Sequence, residues 1–186
     1  MQGTNFKKGF GKIDFIIHAV AYSDKNELNG RYVDTSKDNF INSLSISCYS
    51  FTRIAKIFQP IINSGGSLVT LSFHGANKVM PNYNVMGVAK AALETSVKYL
   101  SVDLGDQNVR VNAISAGPMR TLAGAAITNA RDVFNYTSEN SSLKRNVNLD
   151  ELGNSALYLV SDLSSAITGE IHYVDCGFNI VGMPKS

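Results

Sequence analysis

The sequence has little of several features that mark specialised classes of protein. Its 186 residues include no tryptophan and only two cysteines. Cys48 and Cys176 are far apart and form no Cys-x-x-Cys pair, so they fit packing in a reducing compartment better than a disulfide framework or a metal site. A net charge of +2 gives no argument for nucleic-acid binding.

Long apolar runs are also missing. No run reaches the roughly 18 residues that span a bilayer. Residues 1–14 lack the apolar core of a signal peptide. A cytoplasmic enzyme or binding domain, with neither nucleic acid nor membrane as partner, is therefore the default expectation.

Strand-like and helix-like segments alternate along the chain. Predicted strands are residues 13–21, 67–73, 108–115 and 170–175, and the first is an almost continuous apolar run of the kind that is buried on both faces of a parallel sheet. Predicted helices are residues 36–62, 83–104 and 149–161, and residues 119–148 are expected to form a helical lid. This alternation predicts one domain with a Rossmann-like, doubly wound α/β sheet.

The first predicted helix carries two apolar stripes, although one sheet contact needs only one. We interpret the second stripe as facing another helix, from a second subunit. Thr35 or Ser36 can cap the beginning of this helix, and residues 63–66 (Asn-Ser-Gly-Gly) are expected to form a turn after it.

The most informative segment is residues 81–90, PNYNVMGVAK. Tyr83 and Lys90 are seven residues apart, which places both on one helical face with a rise of about 10 Å. Ligands of such sheets bind beyond the carboxyl ends of the strands, and this helix follows one of them. A phenol and an ammonium there can form an acid–base and cofactor-anchoring pair, and we expect the lysine charge to lower the tyrosine pKa. Each residue alone would more often be a packing tyrosine or a solvated lysine.

Other candidate motifs favour ordinary structural roles. The three histidines, His18, His74 and His172, have no metal-ligand spacing, and we expect each to form local hydrogen bonds. The Gly-Phe-Gly at residues 9–11 precedes a strand instead of following one, so it is not a dinucleotide-binding fingerprint.

Three longer motifs resemble one family. PNYNVMGVAKAALE, VRVNAISAGPMRTLA and a Gly-Glu-Ile-His-Tyr-Val-Asp-x-Gly-Phe ending are similar to bacterial NADH-dependent enoyl-[acyl-carrier-protein] reductases, which belong to the short-chain dehydrogenase/reductase superfamily. The Tyr-x6-Lys spacing separates this family from the usual Tyr-x3-Lys pattern of the superfamily, and position 87 is glycine. An ordinary ketoreductase is therefore the lesser alternative.

The resemblance implies an oxidoreductase of fatty acid biosynthesis that reduces the trans-2 double bond of an enoyl thioester on acyl carrier protein, typically as a homotetramer. It implies that Tyr83 and Lys90 are catalytic, and that Tyr83 and Ser23 contact the substrate. NADH would be bound by a larger set: Val20, Lys90, Met119, Arg120, Thr121, Leu122 and Ala123. Residues 124–140 would cover the substrate.

The sequence departs from this family in two ways. Phe73 stands where family members usually have a second tyrosine. The Gly-rich loop and first three strands of the family are not in the sequence, a portion of about 70 residues if each βαβ unit takes roughly 30. We therefore expect residues 1–186 to form the C-terminal part of a dinucleotide-binding domain, with an unpaired first strand and with weak NADH binding or none. The alternative is a catalytically inactive fragment or subunit-interaction remnant of the reductase.

Overall fold

A four-stranded parallel sheet organises the chain. The computed structural model describes residues 11–119 and 129–183. The strands are β1 (Ile13–His18), β2 (Ile62–Phe73), β3 (Arg110–Ala116) and β4 (Ile171–Val174). They lie in the order β1-β2-β3-β4, and every neighbouring pair is parallel. The predicted α/β class with a parallel sheet is confirmed.

Helices connect the strands and cover both faces of the sheet. They are α1 (Lys37–Leu44), α2 (Ser50–Phe58), α3 (Asn84–Asp103), α4 (Ala130–Asn140) and α5 (Leu149–Val160). On one face, Leu68 and Val111 pack with Phe51 and Leu93 of α2 and α3. On the other face, strand residues such as Val69 and Ile114 pack with Leu152 and Leu159 of α5.

The predicted helix over residues 36–62 is present with one interruption. A π-helical turn, Ser45–Tyr49, joins α1 to α2. Ser36 caps α1 as predicted, because its side chain accepts a hydrogen bond from the Asn39 N–H. Single π-helical turns often occur at functional sites, and this one carries the buried Ser47.

The predicted turn at residues 63–66 is wrong. These residues belong to β2, whose register with β1 shifts so that Ile13 pairs with Ile62 while Phe15 pairs with Ser67. Gly65 has φ +85°, and a Cβ on Gly66 would lie 2.4 Å from an Ile62 methyl group. The glycines therefore mark an irregularity within a strand, which the sequence pattern does not distinguish from a turn.

The first strand is less buried than its apolar composition predicts. Phe15 and Ile17 are 50% and 45% exposed, so the expectation of burial on both faces is wrong for the described residues. Within residues 11–119 and 129–183, β1 pairs only with β2, as expected for an unpaired first strand. No helix in this part of the chain is long and apolar enough to cross a membrane.

Candidate active site

Four segments meet beyond the carboxyl end of β2. Leu28, from the loop after β1, packs with Tyr83, Val85 and Met86 at the beginning of α3. Side chains from α1, from the end of β2 and from the loop before α3 complete this cluster: Phe40, Leu44, Phe73 and Met80. Tyr83 therefore lies where parallel α/β sheets bind ligands.

The backbone around Tyr83 is unusual. Tyr83 occupies the residue before α3, between Asn82 (φ 55°) and Asn84 (φ 35°). Asparagine tolerates positive φ better than most residues, and such conformations cluster at functional sites. The Asn84 side chain donates to the Glu27 and Gly30 carbonyls at 3.3 and 3.4 Å, which ties this backbone to the loop after β1.

Two glycines fit closely around the Tyr83 ring. A Cβ on Gly75 would lie 2.5 Å from Tyr83 Cδ1, and a Cβ on Gly87 would lie 2.8 Å from the Gly75 carbonyl oxygen. Phe73 packs against Tyr83 with the two rings edge to face and their centroids 4.9 Å apart. The ring is thus held between the turn after β2 and the first turns of α3.

The expected lowering of the Tyr83 pKa is wrong. Tyr83 is 8% exposed. Its burial, and secondarily the negative charge of Glu94, raise the pKa of Tyr83 well above its ordinary value. Burial outweighs the attraction of a lysine because it disfavours the phenolate directly. Tyr83 is therefore a neutral phenol that can donate a hydrogen bond.

Lys90 is buried on the same helix. Its side chain is 6% exposed, and Nζ donates to the Leu71 carbonyl of β2 at 2.7 Å. Desolvation lowers the pKa of Lys90 to about 8, against the opposing effects of Cys48 and Glu94. The ammonium has three N–H donors, of which Leu71 uses one. Lys90 is therefore not a solvated surface lysine, which is what a lysine considered alone would more often be.

Sequence reasoning missed a third polar group on α3. Glu94 is 8% exposed, one helical turn after Lys90. Its carboxylate accepts from Ser72 Oγ at 2.6 Å and from Asn77 Nδ2 at 3.1 Å, and Asn77 also donates to Tyr173 Oη. The four-residue spacing from Lys90 places Glu94 on the buried face and could have identified it.

The remaining predicted site residues are placed as follows. Val20 is 47% exposed after β1. Ser23 is half-buried and donates to Asn39 Oδ1 at 3.2 Å. Met119, after β3, packs on the cluster beneath α5. Four predicted cofactor contacts lie outside the described residues, namely Arg120, Thr121, Leu122 and Ala123. Of the predicted cover at residues 124–140, the described part contains α4.

The buried His18 and the two cysteines have environments that fit structural roles. His18 is buried and hydrogen-bonds Thr70 and Ser50 at 3.0 and 2.8 Å, as expected for a local hydrogen-bonding residue. Both cysteines are free thiols. Among the described residues no group of His, Cys, Asp and Glu side chains could hold a metal ion.

Comparison with known proteins gives one consistent family. The family model described as Enoyl-(Acyl carrier protein) reductase matches residues 4–179. Enoyl-[acyl-carrier-protein] reductase [NADH] 1 of Rhizobium meliloti (strain 1021) is 59% identical over 174 residues, which cover 94% of this chain and 64% of that protein. The second such enzyme of the same strain is 57% identical, with 96% of this chain and 66% of that protein covered. The chain thus spans slightly less than two thirds of these relatives.

Solved structures agree with this result. The reductase from Anaplasma phagocytophilum in complex with NAD superposes with a TM-score of 0.95 at 56% identity, covering 100% of this chain and 71% of that one. The Aquifex aeolicus VF5 enzyme gives a TM-score of 0.94 at 39% identity, covering 98% of this chain and 71% of that one. The parallel sheet and the helices around Tyr83 are therefore shared with these structures.

Proposed function

Since this chain belongs to the enoyl-(acyl carrier protein) reductase family, we propose that it serves the NADH-dependent reduction of the trans-2 double bond of an enoyl thioester on acyl carrier protein. The observation that carries the proposal is the burial of two polar side chains that follow β2: Tyr83, immediately before α3, and Lys90, within α3. Burial of an ammonium without an ion-pair partner is costly, and groups whose pKa values are perturbed by burial are concentrated at functional sites.

Tyr83 acts as the hydrogen-bond donor to the thioester oxygen. Reduction of the double bond builds negative charge on that oxygen as an enolate forms. A donor already fixed in a desolvated site stabilises this charge without reorganisation. The raised pKa of Tyr83 suits the role, because the phenol remains protonated at neutral pH. The substrate's acyl group lies against the loop after β1, where Ser23 contacts it.

The described residues fit the nicotinamide half of NADH, which when bound supplies the hydride. Lys90 has two N–H donors beyond the one bound by Leu71, enough for the two hydroxyls of a ribose. Met119 lies just beyond the end of β3 and would form a wall around this half, whereas Val20, just beyond the end of β1, would lie near the adenine-ribose side of the cofactor. Residues 120–123 follow Met119 in the sequence and would complete the proposed cofactor contacts, with residues 1–186 forming the C-terminal part of a dinucleotide-binding domain.

We also propose a cytoplasmic homotetramer. Large apolar side chains remain exposed on the outer faces of the helices that follow β1 and β2. On the first, Ile41 and Tyr49 are 52% and 58% exposed; on the second, Tyr99 and Val102 are 72% and 78% exposed. Side chains of this size are expected to pack against a second copy of the chain. Light scattering of the purified chain measures this assembly.

Turnover of a crotonyl thioester tests the function. Because NADH binding is expected to be weak, we expect the chain to oxidise NADH at high NADH concentration when crotonyl-acyl carrier protein is added, and Tyr83→Phe to lose roughly 100-fold or more of that rate. An acetoacetyl thioester serves as the control substrate, because a ketoreductase would use it. A chain that assembles but neither binds NADH nor reduces crotonyl thioester would instead be a subunit-interaction module.

A further inference from the structure

A row of buried polar side chains lies beneath the loop that follows β1. Asn39, Ser43 and Ser47 are four residues apart on α1 and the π-helical turn, and they are 5%, 0% and 0% exposed. We call these three residues the polar ladder. Burial of polar groups costs free energy unless each finds a partner, so the partners indicate what the ladder does.

Ser47 holds the backbone of Tyr22. Its hydroxyl accepts from the Tyr22 N–H at 2.9 Å and donates to the Tyr22 carbonyl at 3.0 Å. The same hydroxyl lies 3.7 Å from the sulfur of Met86, three residues after Tyr83. The π-helical turn that carries Ser47 thus joins the loop to the beginning of α3.

Asn39 and Ser43 hold the next two residues. Asn39 Oδ1 accepts from the Asp24 N–H at 2.9 Å and from the Ser23 hydroxyl at 3.2 Å. Ser43 Oγ donates to Ser23 Oγ at 3.0 Å. The Ser23 hydroxyl is therefore oriented by two members of the ladder.

The loop fixed in this way forms a wall of the Tyr83 site. Leu28, from the same loop, is 6% exposed and packs in the Tyr83 cluster. The Asn84 side chain donates to the Glu27 carbonyl, next to Leu28 in the chain. Both ends of loop 22–28 are thus attached to the beginning of α3, next to Tyr83: the Tyr22 end through Ser47 and the Glu27 end through Asn84.

We infer that the polar ladder is a positioning device for the acyl part of the substrate. It holds the Ser23 hydroxyl and the backbone of residues 22–24 in place, so that this loop forms a fixed wall for a thioester whose oxygen meets Tyr83. This role rests on the proposed function. Because the ladder touches neither Tyr83 Oη nor Lys90, it acts on thioester affinity and leaves the chemical step unchanged.

Amide hydrogen exchange tests the ladder without turnover. Ser47→Ala removes the acceptor of the Tyr22 N–H, and we expect exchange of this amide to accelerate about fivefold or more, as for the loss of one hydrogen bond. Ser47→Thr keeps the hydroxyl and should restore protection. Ser45→Ala is the matched control, because Ser45 is an exposed serine in the same π-helical turn, and it should leave exchange of the Tyr22 amide unchanged.

Titration with crotonyl-coenzyme A, followed by the NMR shifts of loop 22–24, tests positioning. We expect Ser47→Ala and Ser43→Ala to raise its Kd about tenfold, with Ser47→Thr and Ser45→Ala near wild type. When the chain catalyses NADH oxidation with the crotonyl thioester, the KM of these two variants should rise by the same factor as Kd, and their kcat should remain within about twofold of wild type. Unchanged Tyr22 exchange, or faster exchange with unchanged Kd, overturns the inference. Normal titration without NADH oxidation overturns only the proposed function.

Discussion

Replacement of Lys90 by methionine should stabilise the fold at neutral pH. The Lys90 side chain is 6% exposed on α3, and no carboxylate lies within salt-bridge distance of it among the described residues. Burial of an ammonium without an ion-pair partner is unfavourable. Methionine is unbranched and of similar length, so it can fill the same space without the charge.

The expected gain follows from the pKa. Burial lowers the pKa of Lys90 from 10.5 to about 8, a fall of about 2.5. At about 1.4 kcal/mol for each pKa unit, the charged form destabilises the fold by about 3 kcal/mol. Methionine loses the hydrogen bond to the Leu71 carbonyl, which stabilises by about 1 kcal/mol. Lys90→Met should therefore raise the free energy of unfolding by about 2 kcal/mol at pH 7.

The gain should disappear at high pH. Between the folded pKa of about 8 and the unfolded value of 10.5, the unfolded chain binds more protons than the folded chain, so wild-type stability rises with pH relative to the variant. Below about pH 8 Lys90 is charged in both states and the charge destabilises the folded state fully. Above about pH 10.5 Lys90 is neutral in both states and this destabilisation is absent. Only the lost hydrogen bond then remains, and the variant should be about 1 kcal/mol less stable than wild type.

Urea unfolding at pH 7 and at pH 10.5 measures both values. Lys98→Met is the matched control, because Lys98 is exposed on the same helix and its replacement should have little effect at either pH. If Lys90→Met lowers the free energy of unfolding equally at both pH values, the buried ammonium does not destabilise the folded state. The argument that Lys90 is kept for function at a cost in stability then fails.

Four further substitutions test the packing and the site. Gly75→Ala would place a Cβ 2.5 Å from Tyr83 Cδ1, so the ring must move by roughly 1 Å to reach normal contact; we expect thioester reduction to fall about 100-fold, and a wild-type rate would contradict this. Gly153→Ala, in open space on α5, should instead raise the free energy of urea unfolding by about 0.5–1 kcal/mol. Ser36→Ala removes the cap of α1 and should cost about 1 kcal/mol in the same assay, whereas no loss would mean that the cap bond is not stabilising. Phe51→Ala empties a fully buried position and should cost about 3–5 kcal/mol, and a smaller cost would indicate that the core collapses around it.

The order of strands and helices could be predicted because hydrophobic periodicity reports burial directly. The positions of β2 and α3 follow from apolar runs and helical spacing in the sequence. The beginning of β2 could not be predicted, because Gly65 and Gly66 have the composition of a turn. Their place inside a strand depends on pairing with β1, which is a long-range contact that local composition does not encode.

The identity of the site residues was easier to predict than their electrostatics. Helical spacing predicted Tyr83 and Lys90 as a pair, and both are buried, Tyr83 immediately before α3 and Lys90 within it. The pKa of Tyr83 was predicted in the wrong direction because the sequence indicates which charges are neighbours but not how much water reaches them. Glu94 could have been identified by its four-residue spacing from Lys90, but its hydrogen bond from the loop residue Asn77 depends on a tertiary contact that this spacing does not report.

The seven-residue spacing and the position of the phenol follow from one steric constraint. The ring of Tyr83 lies against Gly75, and Gly75 in turn meets the backbone of α3 at Gly87. A lysine at the shorter Tyr-x3-Lys spacing would occupy position 87, where even a Cβ would lie 2.8 Å from the Gly75 carbonyl oxygen. Such a side chain would separate α3 from the turn after β2 and displace Tyr83. On this backbone the ammonium must therefore come from a later turn of the helix, and Lys90 is the residue that supplies it.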